Sequence, residues 1–169
     1  MIRKQILILL GVLSAAAICL FAARHALGGH DPAAVATADR LALAWRWLLV
    51  PGLCLLAGIA AVANQRFLRA DDIDGGAAKG PGFMDITLRY NTNTLEQTAL
   101  AAIAWTGPSL TLAPQNLSLI PTLAVLFGVG RAAFWGGYLF APWARAFGLG
   151  LTAYPSFFAL IWLAFRLFR

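Results

Sequence analysis

Charged side chains are scarce in this chain, and acidic ones are the scarcest. Of its 169 residues only 12% are charged, seven are acidic, and Glu96 is the single glutamate. A typical soluble domain carries about 25% charged residues. Because 60% of the residues are hydrophobic and the mean hydropathy is +0.74, the composition excludes an ordinary soluble domain. It predicts an all-α integral membrane protein.

Cysteine and histidine are also rare, with two residues of each. Cys19 and Cys54 lie inside apolar segments, where a small buried thiol is more common than a disulfide or a metal ligand. His25, His30 and Asp31 share a polar stretch, but no further ligand stands at a suitable spacing. We therefore expect neither a disulfide nor a metal site.

The net charge of +6 raises the question of nucleic-acid binding. The thirteen basic residues are dispersed, however, and most of them flank apolar runs. They form no basic stripe or cluster of the kind that follows phosphates. Basic residues in that position are typical of loops beside membrane spans. We expect membrane lipid as a partner, and no nucleic acid.

Five apolar segments approach the ~20 residues that a helix needs to cross a bilayer. The first segment follows the basic start MIRKQ, a layout that also fits a signal peptide, but its end, AARHALGG, makes a poor cleavage site. We therefore expect it to be a retained helix. Pro51 lies inside the second segment and should kink it. The predicted spans are residues 6–23, 41–63, 85 or 87 to about 112, 117–140 and 149–168.

Basic residues near the ends of the spans set the expected orientation. With the N-terminus in the cytoplasm, the cytoplasmic side receives seven of them: Arg3, Lys4, Arg66, Arg69, Lys79, Arg89 and Arg145. The other side receives Arg24, Arg40, Arg166 and Arg169, with Arg46 as a fifth if its side chain extends that way. The compact loops and the Ala/Gly-rich composition suggest a bacterial inner membrane.

Polar residues interrupt the third and fourth spans at helical spacing. Arg89, Asn93 and Glu96 follow the i, i+4, i+7 rule and should share one helix face. Arg131 and Tyr138 have the same seven-residue spacing in the next span. Charged residues within spans usually face the bundle interior and form pairs. The sequence therefore predicts one buried, mainly cationic site between the two helices.

The short link APQN makes the third and fourth spans antiparallel neighbours. Glu96 lies nineteen residues before Gln115 and Arg131 sixteen after it, so their depths differ by about one helical turn. We therefore predict a Glu96–Arg131 ion pair. Alone, this pair would be a structural bridge. The surplus cationic donors near it favour an anionic ligand whose carboxylates take bidentate guanidinium contacts.

The pattern R-x-x-x-N-x-x-E formed by Arg89, Asn93 and Glu96 resembles the signature of the MAPEG family, the membrane-associated proteins in eicosanoid and glutathione metabolism. The stretch GRAAFWGGYLFAPWARAFG, which contains Arg131 and Tyr138, strengthens this resemblance. The likeness covers about residues 41–168.

The resemblance implies a four-helix membrane domain over residues 41–169, assembled as a homotrimer. Residues 1–40 would add an extra transmembrane helix and a polar connection. Glutathione, as the co-substrate, would bind between subunits near the cytoplasmic leaflet. Arg145 would be the catalytic residue and stabilise the glutathione thiolate. The implied glutathione-binding residues are Arg89, Asn93, Glu96, Arg131 and Tyr138.

The implied activity is that of a glutathione-dependent transferase or peroxidase acting on lipophilic electrophiles or hydroperoxides. Phe134 and Gln97 stand where some members of the family have tyrosine, and residues 6–23 lie outside its usual four helices. These departures keep an alternative open, namely a non-catalytic MAPEG-like membrane protein with a structural, lipid-binding or regulatory role. A transporter is disfavoured because one acidic residue within the spans offers little for a coupling-ion pathway.

Overall fold

The computed structural model of the chain describes residues 2–28, 35–69 and 80–168, together with residues 73, 75 and 78. All regular structure in these ranges is helical, which confirms the all-α prediction. The helices are α1 (Ile2–Ala26), α2 (Thr37–Trp47), α3 (Leu49–Leu68), α4 (Phe83–Thr111), α5 (Leu119–Phe140) and α6 (Arg145–Leu167), with a 3-10 turn (Pro114–Asn116) between α4 and α5.

Four stretches within the described residues are long and apolar enough to cross a membrane: Ile2–Ala26, Thr37–Leu68, Pro114–Phe140 and Arg145–Arg166. They correspond to four of the five predicted spans. The remaining span is α4, whose 29 residues are sufficient in length. It is not among the four because polar side chains dominate its first half.

The second predicted span is divided at Leu48, between α2 and α3, three residues before Pro51. A proline ring inside a helix clashes with the carbonyl of the residue four positions earlier. That residue is Trp47, the last of α2, so the interruption removes the clash. The helix is thus interrupted near the position where the sequence predicts a kink.

The helices run between two ends of the bundle, and we call the end at which α1 begins the proximal end. At the other, distal end, the Ser118 hydroxyl donates to the Ala26 carbonyl at 2.6 Å, and the Gly28 amide donates to Asn116 Oδ1 at 2.9 Å. The link between α4 and α5 therefore lies at the distal end. The start of α4, the end of α5 and the start of α6 lie at the proximal end.

The first helix packs along α6 in parallel. A Cβ atom added to Gly11 would lie 3.3 Å from the backbone nitrogen of Phe147, and one added to Gly150 would lie 2.7 Å from the Cβ of Ala15. Ala15 also forms a buried cluster with residues of α5 and α6. The helix that lies outside the resemblance is thus packed against the other helices.

Close packing of α5 on α6 depends on glycine. A Cβ atom on Gly130 would lie only 2.8 Å from Cγ2 of Thr152. A Cβ atom on Gly137 would likewise lie 2.8 Å from the Ala144 carbonyl oxygen, just before α6, whereas nothing lies within 4 Å of a Cβ on Gly136. This packing brings the residue after Gly130, which is Arg131, close to α6.

Large apolar side chains cover the outside of the bundle. Leu53, Leu56 and Ile59 of α3 are more than half exposed, as are Leu95 and Ile103 of α4. Soluble monomers rarely expose large contiguous apolar patches, whereas a surface that faces lipid is necessarily apolar. Together with the four candidate spans, this surface is consistent with a multi-pass membrane protein.

Candidate functional site

An open groove of about 410 Å³ runs along α4 at the proximal end of the bundle, and we call it the proximal groove. Four of the six predicted site residues line it, three from α4 and one from α6, which confirms that residues 89, 93 and 96 share one helix face. The lining residues are Asp85, Leu88, Arg89, Thr92, Asn93, Glu96 and Arg145.

Arg131 lies behind the groove, in the interior of the bundle. Its side chain is completely buried. One guanidinium nitrogen, Nη1, donates to Oδ1 of Asn93 at 2.8 Å, and the other, Nη2, donates to the hydroxyl of Thr152 at 2.9 Å. Asn93 in turn donates from Nδ2 to Oε2 of Glu96 at 3.4 Å. A chain of hydrogen bonds therefore links the groove to the interior.

The rings of Phe127 and Phe134 flank the Arg131 guanidinium. Its central carbon lies 5.8 Å from the Phe127 ring centroid and 4.6 Å from that of Phe134. Cation–π contacts of this kind are worth about 2 kcal/mol when they are desolvated. They stabilise a cation whose hydrogen-bond partners, among the described residues, are both uncharged.

The predicted Glu96–Arg131 ion pair is wrong. The one salt bridge among the described residues joins Arg89 to Asp85, and Glu96 is exposed at the groove. Asn93 takes the position between the groove and Arg131. Burying an amide costs much less than burying a carboxylate, so an uncharged side chain at this boundary is the cheaper arrangement.

The inner face of α4 differs from the predicted one by one residue. Arg89 and Glu96 are exposed and Asn93 is half-buried, so the expectation of a buried site is wrong for the two charged residues. One residue in sequence is ~100° around a helix, which turns the predicted stripe away from the core. The buried residues in this half of the helix are Met84, Thr87, Tyr90, Thr94 and Gln97.

The ring of Tyr138 packs against the guanidinium of Arg145. The Arg145 guanidinium carbon lies 4.5 Å from the centroid of the Tyr138 ring, within the range of a cation–π contact. Tyr138 is buried and meets Phe134 edge to face, with ring centroids 5.9 Å apart. Tyr138 therefore restricts where Arg145 can point.

Arg145 is the first residue of α6 and not part of the preceding turn, because the helix begins four residues before the predicted start at Leu149. The reason lies in the packing of the intervening turn. Phe147 packs against the buried cluster around Ala15, and Gly148 approaches the backbone of Phe134. These contacts stabilise a helical first turn and fix the base of the Arg145 side chain.

The prediction of a mainly cationic site is wrong for the groove itself. Its lining has two arginines, Arg89 and Arg145, and two carboxylates, Asp85 and Glu96. Arg89 Nε lies 2.9 Å from Oδ1 of Asp85 in a largely exposed ion pair, a kind of pair worth ~0–1 kcal/mol. Within the described residues Arg145 forms no salt bridge. It is therefore the groove cation most available to a ligand.

Two residues that matter to this site were not predicted. Asp85 stands four residues before Arg89, and that spacing on a helix is itself a signal for an ion pair. Thr152 binds Arg131, but a threonine in an apolar helix carries no comparable signal. The Arg131–Thr152 contact depends on the close approach at Gly130, which is visible only in three dimensions.

No group of three or more histidine, cysteine or acidic residues among the described residues is arranged to hold a metal ion. His25 packs edge-on against Phe21, with ring centroids 4.2 Å apart. His30 and Asp31 lie outside the described residues, as do Lys79 and Arg169 of the orientation count.

Comparisons of the chain with known protein families, with curated proteins and with solved structures gave no match. The fold and the site therefore define only a broad class of protein, a helical membrane protein with a polar groove. The described residues form an all-helical bundle with four helices able to cross a membrane, and a polar groove lies at its proximal end.

Proposed function

We propose that this chain is a membrane-embedded, glutathione-dependent transferase or peroxidase of the MAPEG type, acting on lipophilic electrophiles or hydroperoxides. The observation that carries the proposal is the state of Arg145. It is half-buried at the proximal groove, held against Tyr138, and without a salt bridge among the described residues. A guanidinium in this state is suited to stabilise an anion that forms beside it.

Because the groove has side chains of both charges, it is better suited to bind a zwitterionic peptide than a simple anion. Glutathione carries two carboxylates, one ammonium group, two amides and a thiol. Arg89 offers a guanidinium to a carboxylate, and Glu96 offers an acceptor to the ammonium group. Asn93 lies between them and can bond an amide. The weak Asp85–Arg89 pair can open for a ligand carboxylate at little cost.

Arg131 and Tyr138 have supporting positions in this proposal. Arg131 holds Asn93 through its hydrogen bond, and Tyr138 holds Arg145 through its ring. Neither residue lines the groove. We therefore assign them to positioning and leave contact with glutathione to Arg89, Asn93, Glu96 and Arg145.

The chemistry would depend on Arg145. A free cysteine thiol has a pKa of about 8.5, and a nearby guanidinium lowers it, so that more of the nucleophilic thiolate is present at neutral pH. The thiolate sulfur would then attack the electrophilic carbon and form a C–S bond while the leaving group departs with its electron pair. With a hydroperoxide, two glutathione molecules would be oxidised to the disulfide, releasing an alcohol and water.

The open groove supports a site between subunits. Arg89 and Glu96 are exposed in the single chain, and the apolar side chains Leu95 and Ile103 are exposed on the same helix. A second copy against α4 would cover the groove and exclude water, which strengthens every charge interaction within it. We therefore include the homotrimer in the proposal.

The orientation completes the proposal. The groove shares the proximal end with the basic residues Arg3, Lys4, Arg66 and Arg69. Positively charged loops favour the cytoplasmic side, where glutathione would be available. The proposed location is therefore a bacterial inner membrane with the N-terminus in the cytoplasm.

The thiolate absorbance of bound glutathione near the ultraviolet edge tests the role of Arg145. We expect the wild-type chain to show it, Arg145→Ala to lose it, and Arg145→Lys to retain part of it. The matched control is Arg24→Ala, which removes an exposed arginine from the distal end of α1 and should change nothing. Thiolate that persists in a folded Arg145→Ala variant would show that the assigned role is wrong.

One observation favours a second candidate, the non-catalytic scaffold. Asp85 already forms an ion pair with the guanidinium of Arg89, as it would in a site that no longer binds a ligand. In that case the wild-type chain would not bind glutathione at millimolar concentration. Binding by the wild-type chain would exclude this candidate.

A further inference from the structure

A second cavity lies in the distal half of the bundle and is almost entirely apolar. It has a volume of about 350 Å³ and is enclosed by α1, the end of α4, the start of α5 and the second half of α6. Ala16 of α1 and Leu27, the residue after α1, mark its two ends, and Trp162 of α6 lines its outer part. We call it the distal pocket.

The depth of the distal pocket matches one leaflet of a bilayer. Ala16 and Leu27 are eleven residues apart on the chain, and at ~1.5 Å per residue the pocket extends for ~17 Å. The hydrocarbon core of a membrane is ~30 Å thick, so the pocket corresponds to about half of it. Its shape and composition therefore suit a single acyl chain.

The distal pocket is separate from the proximal groove. Glu96 lines the groove and Pro108 lines the pocket. These residues are twelve positions apart on α4, which corresponds to ~18 Å along the helix axis. A molecule in the pocket would not reach Arg145, so it is not the acceptor of the proposed reaction.

A cation stands at the outer end of this pocket. The Arg166 guanidinium lies over the ring of Trp162, with its central carbon 5.1 Å from the ring centroid. Arg166 is one turn nearer to the end of α6 than Trp162, its side chain is exposed, and within the described residues it forms no salt bridge. Tryptophan and arginine in this order are typical of the level where lipid head groups begin.

A second cation lies at the same end. Arg24 is in the last turn of α1 and is exposed. Because α1 and α6 are parallel neighbours, Arg24 and Arg166 belong to the same end of the bundle. The apolar wall and the cations together match the two parts of an anionic phospholipid.

We propose that the distal pocket binds one acyl chain of an anionic phospholipid whose phosphate contacts Arg166. The guanidinium donates to the phosphate oxygens while Trp162 closes the pocket around the upper part of the chain. This site lies in the leaflet opposite to the proximal groove, and it does not depend on the proposed enzymatic function.

Native mass spectrometry of the full-length protein in mild detergent can test this site. The two probes are phosphatidylglycerol and phosphatidylcholine with identical acyl chains. We expect the wild-type chain to retain one phosphatidylglycerol more tightly than phosphatidylcholine. Arg166→Gln should weaken phosphatidylglycerol about fivefold, the effect of one basic residue at an anionic lipid surface, and should weaken phosphatidylcholine less, because its choline cation offsets the charge of the phosphate that the two lipids share. Arg3→Gln at the proximal end is the matched control.

The pocket itself is tested by filling it. Ala23→Phe places a ring in the pocket and should weaken both lipids, whereas Ala57→Phe, on an exposed position of α3, should weaken neither. Should Ala23→Phe fail to fold, lipids brominated on the acyl chain provide a second measurement. They should quench a component of the tryptophan fluorescence that Trp162→Phe removes.

Three results would overturn the proposal. Equal retention of the two lipids by the wild-type chain would exclude the preference for an anionic head group. Unchanged phosphatidylglycerol binding by Arg166→Gln would show that the phosphate lies elsewhere. Unchanged quenching in Trp162→Phe would show that the acyl chain is outside the pocket.

Discussion

Thr152→Val removes one hydrogen-bond acceptor from the buried Arg131 with almost no change in shape. The Thr152 side chain is 2% exposed, and its hydroxyl accepts from Nη2 of Arg131 at 2.9 Å. A hydrogen bond to a charged group contributes about 1.5–3 kcal/mol. Side-chain hydrogen bonds between membrane helices average ~0.6 and reach ~1.7 kcal/mol. The overlap of these ranges predicts a loss of about 1.5–1.7 kcal/mol in the free energy of unfolding.

Reversible unfolding of the reconstituted protein by added sodium dodecyl sulfate provides the measurement, with Arg131→Met as the second arm of a double-mutant cycle. In the Arg131→Met background the valine substitution should cost little, because the donor is gone. Thr152→Ser, which keeps the hydroxyl, should lose less than the valine variant. An equal cost of Thr152→Val in both backgrounds would refute the reasoning, since the threonine would then act through packing alone.

Three further predictions concern packing, electrostatics and topology. Gly148→Ala should destabilise the bundle by more than 1 kcal/mol because its Cβ would meet backbone atoms of α5, whereas Gly136→Ala, with open space around it, should be neutral in the same unfolding assay. Asp85→Asn should tighten glutathione binding up to fivefold in calorimetry, because it frees Arg89 from a pair worth ~0–1 kcal/mol; weaker binding would contradict this. Ala78→Cys in a cysteine-free background should resist an impermeant maleimide added from outside, and efficient labelling would invert the orientation.

The helices could be predicted because their signals are local. Long apolar runs identify spans without knowledge of the neighbours, and Pro51 marks the interruption at Leu48 by its own covalent geometry. The short APQN link likewise makes α4 and α5 antiparallel. Where the start of a helix depends on packing, as for α6 at Arg145, the sequence predicts it less well.

The partners of the site residues could be predicted only in part. Seven-residue spacing correctly groups Arg89, Asn93 and Glu96 on one face, but it does not reveal whether that face points to the core. The answer depends on Tyr90 and Thr94, whose burial turns Glu96 outward and leaves Asn93 to meet Arg131. A rotation of one residue is therefore enough to replace an ion pair with a hydrogen bond to an amide.

Calorimetric titration of the folded protein with glutathione, with the proposed trimer checked beforehand, tests the proposed function most directly. The proposal predicts saturable heat in the millimolar range or below. It also predicts that this heat is lost in Arg145→Ala and retained in Arg24→Ala. The absence of heat at millimolar glutathione, with the trimer intact, would contradict it.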